Sequence, residues 1–176
     1  QLLHVLSQNE IQGTIYELGS GWGTLAFELA RRFPECRIIA YENSWVPYIY
    51  SKIYGLAVKT ENLRIKQENF FNILLSRADV VVCYLSPNIM THLQPKLESE
   101  LQKGTLVVTN TFALPSWVPQ QTIEVEDLYR TKIHIYLFKY QNREFCNLFV
   151  LVLSGLLAVA FARNNADRLK LERFKS

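Results

Sequence analysis

At 176 residues, the chain has the length of one domain with a single substantial core. Hydrophobic residues make up 49% of the sequence and charged residues 20%, which is typical of a globular protein and excludes an intrinsically disordered one. The net charge of +3 arises entirely in residues 163–176, so residues 1–162 are neutral and nucleic-acid binding is not expected.

The first part of the sequence alternates short apolar runs with helical patterns. Leu2, Leu3, Val5 and Leu6 predict a short helix that ends near Gly13. Two strands are predicted at 14–18 (TIYEL) and 37–42 (RIIAYE). Each precedes a predicted helix: TLAFELARRF at 24–33, with Leu25, Leu29 and Phe33 on one stripe, and WVPYIYSKIYG at 45–55, closed by Gly55.

The second part continues the alternation and then becomes purely strand-like. Strands are predicted at 62–70, 78–85, 105–112, 122–128 and 132–140. The run at 78–85 is almost wholly apolar, as expected for a parallel strand covered on both faces. One helix is predicted at 89–104, ending in Gly104, with Pro95 either kinking it or marking its effective start.

This alternation predicts an α/β fold, a doubly wound and mostly parallel sheet of seven strands. The last two strands leave no room for a helix between them, so a closing hairpin makes the last strand antiparallel. We expect residues 1–142 to form this domain and residues 143–176 to add an apolar segment with a basic tail. The three cysteines are far apart and show no zinc-ligand spacing, so no metal site is expected.

Three glycines stand at alternate positions directly after the first strand. A strand that enters a glycine-rich turn and then a helix is the ligand-binding corner of doubly wound sheets. A dinucleotide site needs a further glycine three residues after Gly21, where Thr24 stands, so that pattern fails. The turn instead reads Glu17-Leu-Gly19-Ser20-Gly21-Trp22-Gly23.

An acidic residue followed by three alternating glycines resembles motif I of the class I S-adenosylmethionine-dependent methyltransferases. The resemblance implies S-adenosylmethionine as cofactor, bound by Glu17, Ser20 and the glycines of the turn. Glycines let the backbone approach a ligand closely. The cofactor carries an ammonium and a sulfonium, so a carboxylate at Glu17 suits it better than a phosphate-type site does.

Further cofactor residues are expected after the second and third strands. Glu42 ends the second strand, where a carboxylate can accept hydrogen bonds from both ribose hydroxyls. Asn43 follows it. By the resemblance, Asn69 stands where an Asp or Asn reads the adenine amino group. Phe70, or else Phe71, can cover the adenine ring, and both phenylalanines also suit the hydrophobic core.

A longer stretch narrows the resemblance. Three further features resemble the small mitochondrial protein-lysine methyltransferases that modify the ATP synthase c subunit and the adenine nucleotide translocase, and their bacterial relatives. They are Tyr41-Glu42-Asn43, a Pro-containing stretch after the fourth strand, and Phe-x-x-Pro-x-Trp-x-Pro at 112–119. The match covers about residues 5–140. It departs at position 22, where those enzymes often carry Asp and this chain has Trp22, and at Glu17, where Asp is usual.

The resemblance implies a protein-lysine acceptor, among which a membrane protein is one possibility. Methyl transfer needs alignment and a neutral amine more than covalent help from the enzyme. The acceptor pocket is expected to be bordered by Tyr84, Ser86, Pro87, Asn110 and Trp117. Tyr84 is the candidate for orienting the amine and is also expected among the cofactor-binding residues, and no general base is assigned. A catalytically silent binding module and a small-molecule methyltransferase stay open as alternatives.

Residues 145–162 form an uncharged run of eighteen residues. As a helix it would span about 27 Å, close to the roughly 30 Å hydrocarbon core of a bilayer. We expect a membrane helix here, with the basic tail on the cytoplasmic side. The alternatives are a buried C-terminal helix, or a strand and a helix split at Ser154-Gly155. The expected location is the cytoplasmic face of a membrane, or the cytoplasm if the run packs on the domain.

Overall fold

The computed structural model describes residues 2–7, 11–58, 60–125 and 127–139. The predicted membrane segment 145–162 and the basic tail lie outside these residues. Within the part of the chain that is described, no helix is both long enough and apolar enough to cross a bilayer.

Within the described residues, seven strands and four helices alternate much as the sequence predicts. The strands are β1 Thr14–Leu18, β2 Arg37–Glu42, β3 Leu63–Gln67, β4 Val80–Cys83, β5 Leu106–Asn110, β6 Gln121–Glu124 and β7 Lys132–Leu137. The helices are α1 Leu2–Ser7, α2 Thr24–Arg32, α3 Trp45–Val58 and α4 Pro87–Glu100, with one 3-10 turn at Phe70–Asn72.

The strands form one sheet in the order β3-β2-β1-β4-β5-β7-β6. Strands β1 to β5 are parallel, and β7 runs antiparallel to both β5 and β6. The predicted seven-stranded, doubly wound sheet with an antiparallel last strand is therefore confirmed. The chain order reverses between β1 and β4, and ligands of such sheets bind beyond the carboxyl ends of the strands at this point.

The two faces of the sheet carry two hydrophobic cores. On one face, Ile15 of β1 packs in a core that includes Phe27 and Leu29 of α2. On the other face, Tyr16 of β1 packs in a core that includes Leu93 of α4. All four residues of β4 are buried, which explains why its sequence is apolar without alternation.

The helices differ in detail from the sequence prediction. On α2, Leu29 is buried, but Leu25 and Phe33 are only partly so; Ala26, Phe27 and Ala30 complete the buried face. Helix α1 ends at Ser7, before residues 8–10, which are not described, and does not reach the turn at Gly13.

The predicted C-terminal end of α3 and the predicted start of α4 were wrong. Helix α3 continues through Gly55 to Val58, and a Cβ at Gly55 would lie 3.5 Å from the ring of Phe27, an ordinary contact distance. Gly55 therefore lies inside the helix at a contact with α2 and does not cap it. Helix α4 begins earlier than expected, with Pro87 in its first turn, where a missing N–H costs nothing.

Helix α4 also passes through Pro95, so that proline does not mark its start, and it ends at Glu100. Gly104, with φ +94°, lies in the turn that leads into β5. A left-handed glycine is common at a helix end, which is why the sequence predicts the end there, but Gly104 serves the following turn instead.

A single side chain closes the C-terminal end of α2. The Nδ2 of Asn62 donates to the carbonyls of Ala30, Phe33 and Cys36 at 3.0–3.1 Å. The last carbonyls of a helix have no partner within it, so this amide from the segment before β3 joins α2 to the sheet.

We expect Asn62→Ala to lower the free energy of unfolding by roughly 1–3 kcal/mol, because buried carbonyls lose their donor. Thermal denaturation measures this loss, and Asn88→Ala on the exposed start of α4 is the control. Equal melting temperatures for the two variants would contradict the role given to Asn62.

Candidate active site

The turn after β1 is built by backbone hydrogen bonds and left-handed glycines. The N–H groups of Gly19 and Ser20 donate to the carbonyl of Tyr41 at 2.9 and 3.0 Å, which fixes the turn to β2. Gly19, Gly21 and Gly23 have φ of +75°, +54° and +80°. Because L residues with side chains rarely adopt this region, the alternating glycines are explained by backbone conformation.

The three glycines differ in what surrounds them. A Cβ at Gly23 would lie 3.0 Å from both the Phe27 ring and the Cβ of Ser51, and one at Gly19 would lie 2.7 Å from the Cδ2 of Leu85. A Cβ at Gly21 would meet nothing within 4 Å. A side chain at Gly23 would therefore require Phe27 or Ser51 to move, whereas Gly21 faces open space that a bound ligand can fill.

Glu42 ties the glycine turn to the start of α3. One carboxylate oxygen accepts from the N–H of Gly21 at 2.7 Å, and the other accepts from the N–H of Ser44 at 2.7 Å. The side chain is buried. Each oxygen keeps a second lone pair. The predicted role of Glu42 toward ribose hydroxyls is thus compatible with its structural role.

Glu17 is a buried carboxyl with an unused oxygen. The residue is 4% exposed, and neither its Oε2 nor the hydroxyl of nearby Ser20 has a hydrogen-bond partner in the described structure. Burial, followed by the charge of Glu42, raises the pKa of Glu17 to about 8. A buried acceptor without a partner needs an explanation, and a cationic ligand group would supply one. These residues therefore fit the ammonium of S-adenosylmethionine.

The residues expected at the adenine have local roles as well. The Oδ1 of Asn69 accepts from the N–H of Phe71 at 2.9 Å and begins the 3-10 turn. Phe70 is buried in the α4-side core, with its Cε1 4.0 Å from where a Cβ of Gly19 would lie. Phe71 is 37% exposed. Asn43 is exposed. Phe70 thus lies against the glycine turn, and Asn69 has one oxygen already engaged.

A cleft of about 410 Å³ opens at the same edge of the sheet as the turn. The register pairs Leu18 with Cys83 and Cys83 with Thr109, so Gly19, Tyr84 and Asn110 follow at this edge. Tyr84 follows β4, the neighbour of β1, and the other lining residues lie further along the sheet, at the ends of β5 and β7. The cleft is lined by Tyr84, Thr111, Tyr129, Arg130, Thr131 and Lys132.

Two lining residues have a strained backbone. The N–H of Phe112 donates to the carbonyl of Asn110 at 2.8 Å across Thr111, whose φ is +68°. This is a γ-turn of the strained kind, and a β-branched residue there is a conformational outlier. Arg130 has φ +49°. Strain of this sort persists where the surroundings impose it, and it is concentrated at functional sites.

The loop between β6 and β7 is held by Asp127. Its carboxylate accepts from the N–H and the hydroxyl of Thr131, at 2.8 and 2.6 Å. The hydroxyl bond, with the backbone bond second, lowers the pKa of Asp127. The loop side of the cleft was missed from sequence, because only the Asp-to-Thr spacing hints at a capped turn and nothing in the sequence marks the γ-turn at Thr111.

The predicted pocket residues are only partly brought together. Tyr84 lines the cleft, and Asn110 precedes the γ-turn. Ser86 and Pro87 lie in the exposed start of α4. Trp117 is absent from the lining: its ring centroid lies 5.8 Å from Tyr136 and 5.4 Å from Phe138.

The indole N–H of Trp117 also donates to Glu98 at 2.9 Å. Gln94, one turn earlier on α4, contacts the hydroxyl of Ser116 and accepts from its backbone N–H. These bonds attach the segment after β5 to α4, so the contacts of Trp117 in this structure are with the hydrophobic core and α4.

A doubly wound sheet, a left-handed glycine turn at its switch point and two buried carboxylates beside that turn define a class I S-adenosylmethionine-dependent methyltransferase domain. The sequence profile of the ANTKMT methyltransferase domain matches residues 17–121, and the chain belongs to this family. The expectations of a methyltransferase and of S-adenosylmethionine as its cofactor are confirmed.

Curated relatives and a solved structure agree with this assignment. A protein-lysine N-methyltransferase of Saccharolobus islandicus is 34% identical over 124 residues, which cover 69% of this chain and 74% of that one. A lysine N-methyltransferase of the ATP synthase c subunit, from Xenopus laevis, is 28% identical, over 61% of this chain and 47% of its own length. The chain thus spans about half of this vertebrate relative.

The structure of an RNA methyltransferase from Salinibacter ruber, in complex with S-adenosyl-L-homocysteine, has a TM-score of 0.66 at 23% identity. The match covers 77% of this chain and 89% of that one. At this identity the likeness concerns the fold alone.

We expect Gly21→Ala to weaken S-adenosylhomocysteine binding at least about tenfold, because the added Cβ would occupy the space that the ligand fills. The left-handed backbone at this position would also cost about 1–2 kcal/mol of stability. Gly23→Ala should lower the melting temperature more, since its Cβ would crowd Phe27 and Ser51. Calorimetry and thermal denaturation measure both. Unchanged affinity in Gly21→Ala would remove the cofactor from this turn.

We expect Glu17→Gln to weaken S-adenosylhomocysteine binding about 10–100-fold through loss of a charge-assisted contact. The pKa of Glu17 is higher folded than its ordinary 4.5, so the free energy of unfolding falls as pH rises from 4.5 to about 8. A glutamine does not titrate, so the Glu17→Gln variant lacks this loss of stability with pH. Without ligand, it should melt roughly 2–6 °C higher than the wild type at pH 8.

The control is Glu28→Gln on α2, whose side chain is partly exposed. It should change neither binding nor the pH dependence of the melting temperature. A ligand-free Glu17→Gln protein that follows the wild-type pH profile would show that Glu17 is ionised in the fold.

Proposed function

We propose that this chain transfers a methyl group from S-adenosylmethionine to the side-chain amine of a lysine in a protein. The observation that carries the proposal is the open cleft at the carboxyl ends of β4 and β5, at the same edge of the sheet as the glycine turn. Tyr84 and Tyr129 on its wall are 60% and 85% exposed. Small-molecule sites usually enclose most of their ligand. An open cleft suits a side chain that a larger protein presents.

The cleft has a charge pattern that favours a neutral amine. S-adenosylmethionine supplies a methyl group on a positively charged sulfur, and the acceptor nitrogen must lose its proton before it can attack. Arg130 and Lys132 line the cleft, and nearby positive charges lower the pKa of an amine. The hydroxyl of Tyr84 can accept a hydrogen bond from the amine and orient its lone pair. Both sequence relatives are lysine N-methyltransferases by name, which supports lysine as the acceptor.

We further propose that the acceptor is a membrane protein and that the chain works at the cytoplasmic face of a membrane. The support is the uncharged run 145–162 and the basic residues after it. A tethered catalytic domain would meet lysines of membrane proteins at high local concentration. If the run packs on the domain instead, a cytoplasmic location follows.

The test is to incubate the full chain with radiolabelled S-adenosylmethionine and with membrane or soluble extracts. We expect label in protein, with methylated lysine identified by mass spectrometry, and more label in the membrane fraction. Label confined to acid-soluble material would favour the small-molecule alternative. No transfer despite measurable cofactor binding would favour the silent binding module.

Tyr84→Phe provides the matched variant for the cleft. It should lower turnover several-fold, since it removes one hydrogen bond to the amine, while S-adenosylhomocysteine affinity stays within about twofold. Equal losses of affinity and turnover would place Tyr84 at the cofactor and not at the acceptor.

A further inference from the structure

Helix α3 is apolar around most of its circumference, yet most of its residues are exposed. Of its fourteen residues, Ser51 alone is buried, and Lys52 alone is charged. A helix that is hydrophobic all round is normally covered by other structure. Its exposed large side chains are Trp45, Val46, Ile49, Tyr50, Ile53, Tyr54 and Leu56.

These seven side chains occupy one side of the helix. At about 100° per residue they span an arc of about 180°, while Ser51 and Gly55 lie on the opposite side, toward the domain. Lys52 stands at one border of the arc. Several of the side chains protrude strongly, with Leu56 80% and Val46 68% exposed.

The glycine turn extends this surface. Trp22 is 53% exposed, and its ring centroid lies 5.3 Å from that of Tyr50, which in turn stacks on Tyr54 at 6.4 Å. We call Trp22 together with the seven exposed residues of α3 the α3 face. Because it includes a residue of the cofactor turn, whatever covers the face lies beside the active-site edge of the sheet.

We propose that the α3 face docks on the surface of a lipid bilayer that contains anionic headgroups. Tryptophan and tyrosine rings suit the boundary between acyl chains and water, with Ile, Val and Leu reaching deeper. Lys52 at the border can extend its ammonium to a headgroup phosphate while its stem stays on the apolar surface. The proposal goes beyond the proposed function and does not depend on the acceptor.

Charge and shape favour a bilayer over a second copy of the chain. Helix α3 contains no carboxylate, so two copies packed through it would bring no acid from these helices to pair with Lys52. An anionic bilayer supplies that charge in every orientation. A protruding ridge of separate side chains also fits a deformable interface without a matching groove.

The tryptophans provide the test. Two of the three, Trp22 and Trp45, lie on the α3 face, whereas Trp117 packs against Tyr136 and Phe138 and serves as an internal reference. The full chain is mixed with vesicles of phosphatidylcholine, with or without phosphatidylglycerol, carrying bromine-labelled acyl chains. We expect quenched and blue-shifted emission, stronger with phosphatidylglycerol, and no quenching in Trp22→Phe/Trp45→Phe.

Charge placed on the face should weaken docking. Ile49→Glu/Ile53→Glu should lose the quenching of Trp22 and Trp45, with S-adenosylhomocysteine affinity retained, whether or not residues 145–162 keep the chain on the vesicle. The control, Leu74→Glu/Val118→Glu, adds the same charge at residues that are 72% and 90% exposed outside the face, and it should behave as wild type.

Three outcomes would overturn the proposal. Vesicle binding with unquenched Trp22 and Trp45 would mean that another segment, such as 145–162, holds the chain on lipid. No vesicle binding would exclude docking. A blue shift that depends on protein concentration without lipid, with a dimer by ultracentrifugation, would assign the face to a second copy. None of these readouts requires methyl transfer, so failure here leaves the proposed lysine acceptor standing.

Discussion

The bond between the carboxylate of Glu42 and the backbone N–H of Gly21 is the constraint on which the site depends. It connects the loop after β1 to the end of β2, and the second oxygen of Glu42 extends the connection to Ser44 at the start of α3. Three positive-φ glycines let the loop turn sharply enough to meet it. A ligand at Gly21 is therefore held by a loop that two neighbouring strands have already positioned.

The buried carboxyl of Glu17, just before this turn, destabilises the fold, and the rest of the structure must offset that cost. Glu17 lies between β2 and β4 in the middle of the sheet, where its register partners are Ala40 and Val82, and its carboxyl gains no hydrogen bond at Oε2. Burial disfavours its charged form. A cationic ligand would restore the favourable interaction, so poor stability of the empty site and affinity for the ligand have one cause.

The cleft stores strain in a similar way. Thr111 and Arg130 both adopt left-handed backbone conformations on facing segments, and the N–H of Thr111 donates to the carbonyl of Lys132 at 2.7 Å. The bonds from Thr131 to Asp127 impose the shape of the β6–β7 loop. The cleft is thus shaped by cross-strand hydrogen bonds that hold two unfavourable backbone positions in place.

Local patterns made the fold and the glycine turn predictable, and long-range contacts limited the rest. The apolar run of β4 and the alternating glycines have direct physical causes, burial on two faces and left-handed φ. Helix α3 continues past Gly55, which lies near the ring of Phe27 on α2, and the indole of Trp117 bonds to Glu98 of α4. Neither partner is adjacent in sequence, so spacing alone did not reveal them.

Trp22 links the cofactor turn to the exposed side of α3. The family resemblance leads one to expect an acid at this position. A carboxylate here would stand beside Tyr50, at the rim of an apolar surface, and would repel anionic headgroups. An indole has no such charge and suits the interface between lipid and water. The tryptophan at position 22, a departure found in the sequence, and the exposed apolar side of α3, found in the structure, therefore support the same proposed lipid-facing surface.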